Sequence, residues 1–326
     1  MMLNLKKILE EGAKKKEVRL VVCEGWDERC LQATAQVQDI VKVVLLGNPE
    51  EINEKAKELN LNISKAEIHN YKNSELKEEL TNKLLEARKH KGMTLEQAKE
   101  LIKDENYFGC VYCLAGYADA VVGSAIGSTA ALMKPALQLL REKGKTVTEV
   151  SILNDPKKDR TLFAADISLN MNPNPEQLAS ISLSAAKCAK DLGIEPKVAL
   201  LSFSTKGSGG DGPEIQQVRE AVKLIKEKDP ELIVDGEMQI DAAINPSAAG
   251  KKCPDSVIKG DANVLIFPNL TAANIFGHAM LQFSDLDFAF TVLKGMAKPT
   301  SILGRSTPLE MVRLIFLGCA MQVNMK

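Results

Sequence analysis

Aromatic residues make up only 4% of this 326-residue chain, and tryptophan occurs once, at Trp26. That leaves little material for the aromatic platforms on which nucleic-acid bases stack. An excess of either charge is also missing: 42 lysines and arginines stand against 43 aspartates and glutamates. The balance gives no reason to expect nucleic acid or an acidic membrane as partner. No run of about 18 apolar residues occurs, so no spanning helix is expected. Residues 1–16 set Leu3, Leu5, Ile8 and Leu9 at helical spacing among lysines and glutamates, without the unbroken apolar stretch of a signal peptide. Seven cysteines, an odd number, read as reduced thiols of a cytoplasmic protein. Cys110 and Cys113 form a C-x-x-C in a strand-like run that turns them to opposite faces, whereas a redox pair belongs at a helix start. The three histidines, His69, His90 and His278, lie far apart, so no metal site is expected.

What is present is the composition of a soluble globular protein, 45% apolar and 26% charged. The length suits two domains. Strand-like runs at 18–23, 41–46, 66–69 and 120–123 alternate with helical patterns at 27–40, 50–59, 74–90, 94–103 and 129–141. Thr94 with Gln97 makes a capping box for one of these helices, and Pro135 falls inside another. After the polar turn 142–145 a second series begins. Its strands are expected at 147–153, 161–164, 198–203, 232–236 and 263–267, its helices at 175–191, 213–227 and 272–283. Such alternation predicts α/β domains with mainly parallel sheets.

The most informative stretch is 200–219. An apolar run ends in Ser202, Ser204, Thr205, Lys206, Gly207, Ser208 and further glycines, and a helix pattern starts at Pro213. A strand, a glycine-rich loop and a helix start form the arrangement that holds an anion at the carboxyl end of an α/β sheet. Neither Gly-x-x-x-x-Gly-Lys-Ser/Thr nor Gly-x-Gly-x-x-Gly is present, so neither a P-loop nor a dinucleotide fingerprint is read here. An ordinary glycine-rich turn remains the alternative.

Three ordered blocks carry a resemblance: Ser202–Ser208, Asp235–Ala243 and Ala262–Asn274. Arg88–Thr94, Gly116–Asp119 and Phe163–Asp166 add to it. Together they resemble the signature segments of the phosphate acetyltransferases (phosphotransacetylases) and the wider phosphate acyltransferase family, over nearly the whole chain. The resemblance implies two three-layer α/β domains with a cleft between them. The first would span 1–145 and be completed by 297–326, and the second would span 146–296. It implies the reaction acetyl-CoA + phosphate ⇌ acetyl phosphate + CoA, by direct attack of the CoA thiolate on the acyl phosphate. A cytoplasmic homodimer is implied, with CoA as a substrate, no cofactor and no metal.

The implied residues follow the same blocks. Arg305 matches the family's stabiliser of phosphate and oxyanion, with Ser306 beside it. Ser128, Thr129 and Lys134 match a hydroxyl pair and a cation, Arg88 a contact to CoA phosphates, and Ser204, Thr205, Lys206, Gly207, Ser208 and Asn274 further substrate contacts. Arg88 reads equally as a solvated helix face beside Lys89 and Lys91. Ser128 reads equally as an N-cap, and Asp235 and Asp241 as caps or turn formers. The chain departs from the pattern at five positions, one of them Ile167, where a cysteine often follows the Ala-Asp of the second domain. The family serine before Arg305 is Gly304, its thiol base falls on Met311, an arginine becomes Lys134 and an aspartate becomes Ala131. A phosphate butyryltransferase is the near rival. A paralogue that binds CoA or acyl phosphate with reduced or no turnover is another, because the departures fall together on site positions. A metal- and nicotinamide-dependent decarboxylating dehydrogenase would need clustered aspartates and a nucleotide loop, and neither is evident.

Overall fold

The computed structural model describes residues 2–325, so Met1 and Lys326 lie outside the described residues. The chain divides into two compact units, residues 5–143 with 296–325, and residues 144–295 with residues 2–4.

The first unit opens with α1 (Leu5–Ala13), β1 (Arg19–Val22), α2 (Glu28–Val37), β2 (Lys42–Leu46), α3 (Pro49–Glu58) and β3 (Glu67–His69). It continues with α4 (Lys77–Arg88), α5 (Leu95–Leu101), α6 (Glu105–Leu114), β4 (Ala120–Gly123) and α7 (Thr129–Leu139). The second unit holds β5 (Thr148–Asp155), β6 (Arg160–Ala165), α8 (Pro175–Asp191), β7 (Lys197–Leu201), α9 (Pro213–Lys228) and β8 (Ile233–Met238). It ends with α10 (Ile240–Ile244), α11 (Pro246–Lys252), β9 (Val264–Ile266), α12 (Leu270–Phe283) and β10 (Asp287–Lys294). The chain then returns to the first unit as β11 (Thr300–Ile302) and α13 (Leu309–Asn324).

Local sequence explains many of these boundaries. Asp27 starts α2 by accepting hydrogen bonds from the amides of Arg29 and Cys30. Asn48 and Pro49 start α3, and Thr94 with Gln97 closes the expected capping box on α5. Asn174 with Gln177 does the same for α8, behind Pro175. Pro135 lies inside α7, where it removes one internal hydrogen bond. The run 107–115, expected to be strand-like, instead lies in α6 up to Leu114. Every residue from Asn106 to Cys113 is buried, so the helix has no polar face to reveal its period. The readable signal was Asp104, whose carboxylate accepts from the amides of Asn106 and Tyr107. Cys110 and Cys113 are buried, and all seven cysteines are free thiols.

The first sheet runs β11-β4-β1-β2-β3, parallel throughout. Leu20, Val21, Val22, Ala120, Val121 and Val122 are fully buried, as befits strands covered on both faces. Chain order runs from β1 outward to β2 and β3, then switches to the other side for β4 and β11. Open α/β sheets bind ligands at the carboxyl ends beside such a switch point. Helices α1 and α13 pack together: Arg313 pairs with Glu10, and Asn324 Nδ2 donates to the carbonyls of Gly12 (2.9 Å) and Ala13 (3.2 Å). A Cβ on Gly12 would stand 2.4 Å from the Met321 side chain, so any larger residue would force that side chain to shift.

The second sheet runs β10-β5-β6-β9-β7-β8. β10, β5 and β6 are antiparallel neighbours, while β6, β9, β7 and β8 are parallel. A core of Leu162, Leu201, Met238, Leu265 and Phe267 lies against the helices of this unit.

Candidate active site

In the first unit, the loops after β4 (124–128) and β11 (303–308) lie side by side at the carboxyl edge, because β4 and β11 are paired. Ser124 is buried at φ +59°, and its hydroxyl donates to the Ser128 carbonyl (2.9 Å) while accepting from the Leu132 amide (3.1 Å). This turn delivers the chain into α7 at Ser128, the N-cap. The Ser128 hydroxyl makes no capping bond. The amides at this helix start therefore lack a side-chain acceptor from Ser128, and Ser128 and Thr129 are exposed beside them. Such an end favours an anion. Lys134 is exposed on the same helix.

Arg305 is exposed in the neighbouring loop, next to exposed Ser306. Its Nε donates to the Ile126 carbonyl at 2.7 Å, and its terminal nitrogens have no partner among the described residues. Gly304 donates its amide to Thr307 Oγ1 (2.9 Å). Met311 lies in the first turn of α13 and is half-buried, while the adjacent Glu310 is exposed and paired with Lys6 and Arg313. The position that the resemblance assigns to the thiol base thus holds no carboxylate. Arg88 ends α4. Its Nε is buried without a partner; burial and Asp104 raise the Tyr107 phenol, and the Arg88 charge offsets only part of that.

Two residues missed by sequence reasoning hold these loops. Glu24, 2% exposed beyond β1, accepts the Ala125 amide at 3.0 Å across the switch point. Arg29, in the first turn of α2, donates to the carbonyls of Ala125, Gly304, Arg305 and Thr307. Only the acid at a helix start followed by arginine, Asp27-Glu28-Arg29, hinted at it. The carbonyls lie 96 to 278 residues away in sequence.

In the second unit, the loop after β7 has the backbone of an anion cradle, with Lys206 at φ +48° and Gly207 at φ +92°. The anion it holds is the chain's own. Glu237 of β8, 1% exposed, accepts the Ser204 hydroxyl (3.0 Å), the Gly207 amide (2.7 Å), and Arg219 Nε (2.8 Å) and Nη2 (3.2 Å). Burial alone would raise this carboxyl, but the Arg219 guanidinium, the Gly207 amide and the Ser204 hydroxyl bring it down to about 2. Lys206 Nζ is ion-paired with Asp235 and also donates to the Gly236 carbonyl (3.2 Å). Thr205 Oγ1 bonds Gln239, and Ser208 Oγ accepts the Thr205 amide. The hydroxyls and the lysine proposed for ligand contact are therefore engaged internally. Asn274 is exposed on α12, and its amide has no partner among the described residues.

Each unit also has a cavity at its carboxyl edge. In the first, about 500 Å3 is lined by Trp26, Asn48, Asn70, Tyr71 and Glu105. Burial, with Glu24 and Asp104 nearby, pushes the Glu105 carboxyl up to about 7. In the second, about 390 Å3 is lined mainly by Phe203, Ile240, Phe267, Ala272 and Phe276. No group of three or more potential metal ligands occurs among the described residues, and none of their helices is long and apolar enough to cross a membrane.

Comparison with known proteins places these features in context. Residues 4–317 match the model of the phosphate acetyl/butaryl transferase family. The phosphate acetyltransferase of Bacillus subtilis is 39% identical over 323 residues, covering 98% of this chain and 99% of its own. Among solved structures, a phosphotransacetylase from Streptococcus pyogenes superposes with a TM-score of 0.93 at 34% identity, with 98% of both chains covered. The EutD phosphotransacetylase of Staphylococcus aureus gives 0.89 at 38% identity, again over 98% of each chain.

Proposed function

The chain belongs to the phosphate acetyl/butaryl transferase family, and from that premise we propose that it is an acyltransferase exchanging an acetyl group between CoA and phosphate. The CoA sulfur bonds to the carbonyl carbon of acetyl phosphate, the carbon–oxygen bond to phosphate breaks, and inorganic phosphate departs. The thiol proton goes to solvent. One observation supports this most directly: the free terminal nitrogens of Arg305 stand on the loop beside the one that ends at the start of α7, where the N-cap Ser128 makes no side-chain capping bond. A planar guanidinium and a set of helix-start amides suit the leaving phosphate and the charge that builds on the carbonyl oxygen.

Ser306, Ser128 and Thr129 supply hydroxyl donors to the same anion, and Lys134 adds charge without a bidentate fork. Arg88, with its unpartnered Nε, is assigned to CoA phosphates, and exposed Asn274 to a substrate contact. The loop Ser204–Ser208 acts around Glu237, and Lys206 reaches a substrate only by leaving Asp235. With Met311 at the base position, the thiol ionises unaided; its pKa is near 8.5, so about a few per cent is thiolate at neutral pH. Orientation of the two reactants then supplies the remaining rate enhancement. The same reading makes the protein a cytoplasmic homodimer that needs no resident cofactor or metal.

The test is a coupled assay of CoA with acetyl, propionyl and butyryl phosphate. The expected result is exchange, fastest with the acetyl donor, that climbs with pH to about 8–9, where the thiol titrates. A butyryl preference would make this a phosphate butyryltransferase. CoA binding without exchange from any donor between pH 7 and 9 would refute the enzymatic reading.

A further inference from the structure

We propose that Arg29 is a positioning residue: it fixes the geometry of Arg305 by clamping the loops after β4 and β11 through their backbone carbonyls. A guanidinium has five N–H donors in a rigid plane. Here every nitrogen is committed. The two N–H groups of Nη1 are shared among the carbonyls of Gly304 (2.8 Å), Arg305 (3.0 Å) and Thr307 (3.2 Å). Nη2 donates to the Ala125 carbonyl (2.9 Å) and Asp27 Oδ2 (3.1 Å), and Nε to Asp27 Oδ1 (3.1 Å). The side chain is 21% exposed and that of Asp27 9%.

Two features separate this arginine from Arg305. Arg305 keeps its terminal nitrogens free for an anion, whereas Arg29 has none left to offer. Both arginines also bridge the same pair of loops, since Arg29 holds Ala125 and Arg305 reaches back to the next residue, Ile126. Asp27 orients the clamp while its carboxylate caps α2, so the helix start and the loop geometry share one anchor. Lysine would keep the charge but not the fork, and would leave most of the four carbonyls without their donor. A displacement of about 1 Å at a reacting group is enough to lose about a hundredfold in rate.

The inference rests on the phosphate role of Arg305, so the test is a double-mutant cycle on the full chain with kcat and KM measured separately. Arg29→Lys is expected to lower kcat about a hundredfold with KM for CoA changed less than about threefold. In the Arg305→Ala background the same substitution is expected to cost less than about fivefold, because the group it positions is gone. Asp27→Asn keeps an acceptor for the helix cap but removes the charge that orients the guanidinium. It is expected to lower kcat about tenfold with the same coupling to Arg305, and it carries the test if Arg29→Lys does not fold. A raised KM for CoA with kcat held would make Arg29 a substrate-binding residue and overturn the inference. So would a kcat loss that persists in full without Arg305, or an Asp27→Asn protein with unchanged kcat. An Arg305→Ala protein as active as the parent would instead refute the reading of Arg305 itself.

Discussion

Replacing Glu237 by glutamine should destabilise the Gly144–Gly295 unit by an amount that depends on pH. The carboxylate is 1% exposed and accepts four hydrogen bonds from Ser204, Gly207 and Arg219. Its pKa falls from the ordinary 4.5 to about 2. At 1.36 kcal/mol per unit the shift corresponds to about 3 kcal/mol. The Arg219 side chain is one-third exposed, so solvent screening trims this to about 2 kcal/mol. The sign is set by the direction of the shift. A carboxyl depressed on folding stabilises the native state above its unfolded pKa, and the effect disappears as pH falls through the folded pKa. The parent should therefore exceed Glu237→Gln by about 2 kcal/mol at pH 6–7, equivalent to about 4–8 °C in the melting temperature of a unit this size. The gap should close progressively from about pH 5 to pH 2. Thermal or urea unfolding of both proteins at matched pH measures it, and other titrating carboxylates cancel in the difference. A gap that stays constant across that range would refute the reasoning.

Arg305→Ala should reduce kcat/KM for acetyl phosphate several hundredfold, since one such donor is worth about 10²–10³ in rate; a loss below about threefold in steady-state assays would remove its phosphate role. Gly304→Ser with Met311→Asp should raise turnover and move the pH–rate profile to lower pH, general base catalysis being worth about 10²–10⁴. A Cβ at Gly304 meets only Thr307 Oγ1, at 3.3 Å, so the serine fits with a small adjustment. Glu105→Gln should stabilise the protein relative to the parent at pH 8 and be neutral at pH 4. The Glu105 carboxyl is raised to about 7, so its ionised form is disfavoured in the fold and the penalty builds between pH 4.5 and 7. Melting curves at both pH values decide it, and equal differences would contradict the assignment.

Much of the fold was legible because the signals were local. The bounds of α8 follow from Asn174, Pro175 and Gln177 within one turn, and β4 from an apolar run ended by glycine. Helix α6 was misread because its surface is buried all round, which erases the periodicity that marks a helix. The short strand β11 carries too little pattern to stand out, although it delivers Arg305 to the edge of the sheet. The site was legible in its types and not in its partners. The loop 202–212 reads as an anion cradle, but the acid that fills it comes from Glu237, 30 residues beyond Gly207. The same holds for Arg29 and the carbonyl of Thr307, 278 residues apart. Contacts of that separation leave no trace in spacing or composition.

The return of the chain through β11 and α13 also orders events during synthesis. The second unit is contiguous apart from the chain's first few residues, so all of it has been synthesised before the first unit's last strand is made. The nascent first unit must wait with one edge of β4 unpaired and α1 uncovered while residues 144–326 are added. At about 5–20 residues per second this takes roughly 10–40 s. Exposed strand edges and apolar helix faces recruit chaperones or neighbours over such times. A chain that stops between residues 296 and 323 would carry a complete second unit joined to a first unit that lacks the full β11–α13 segment. Such products should accumulate as aggregates or be degraded.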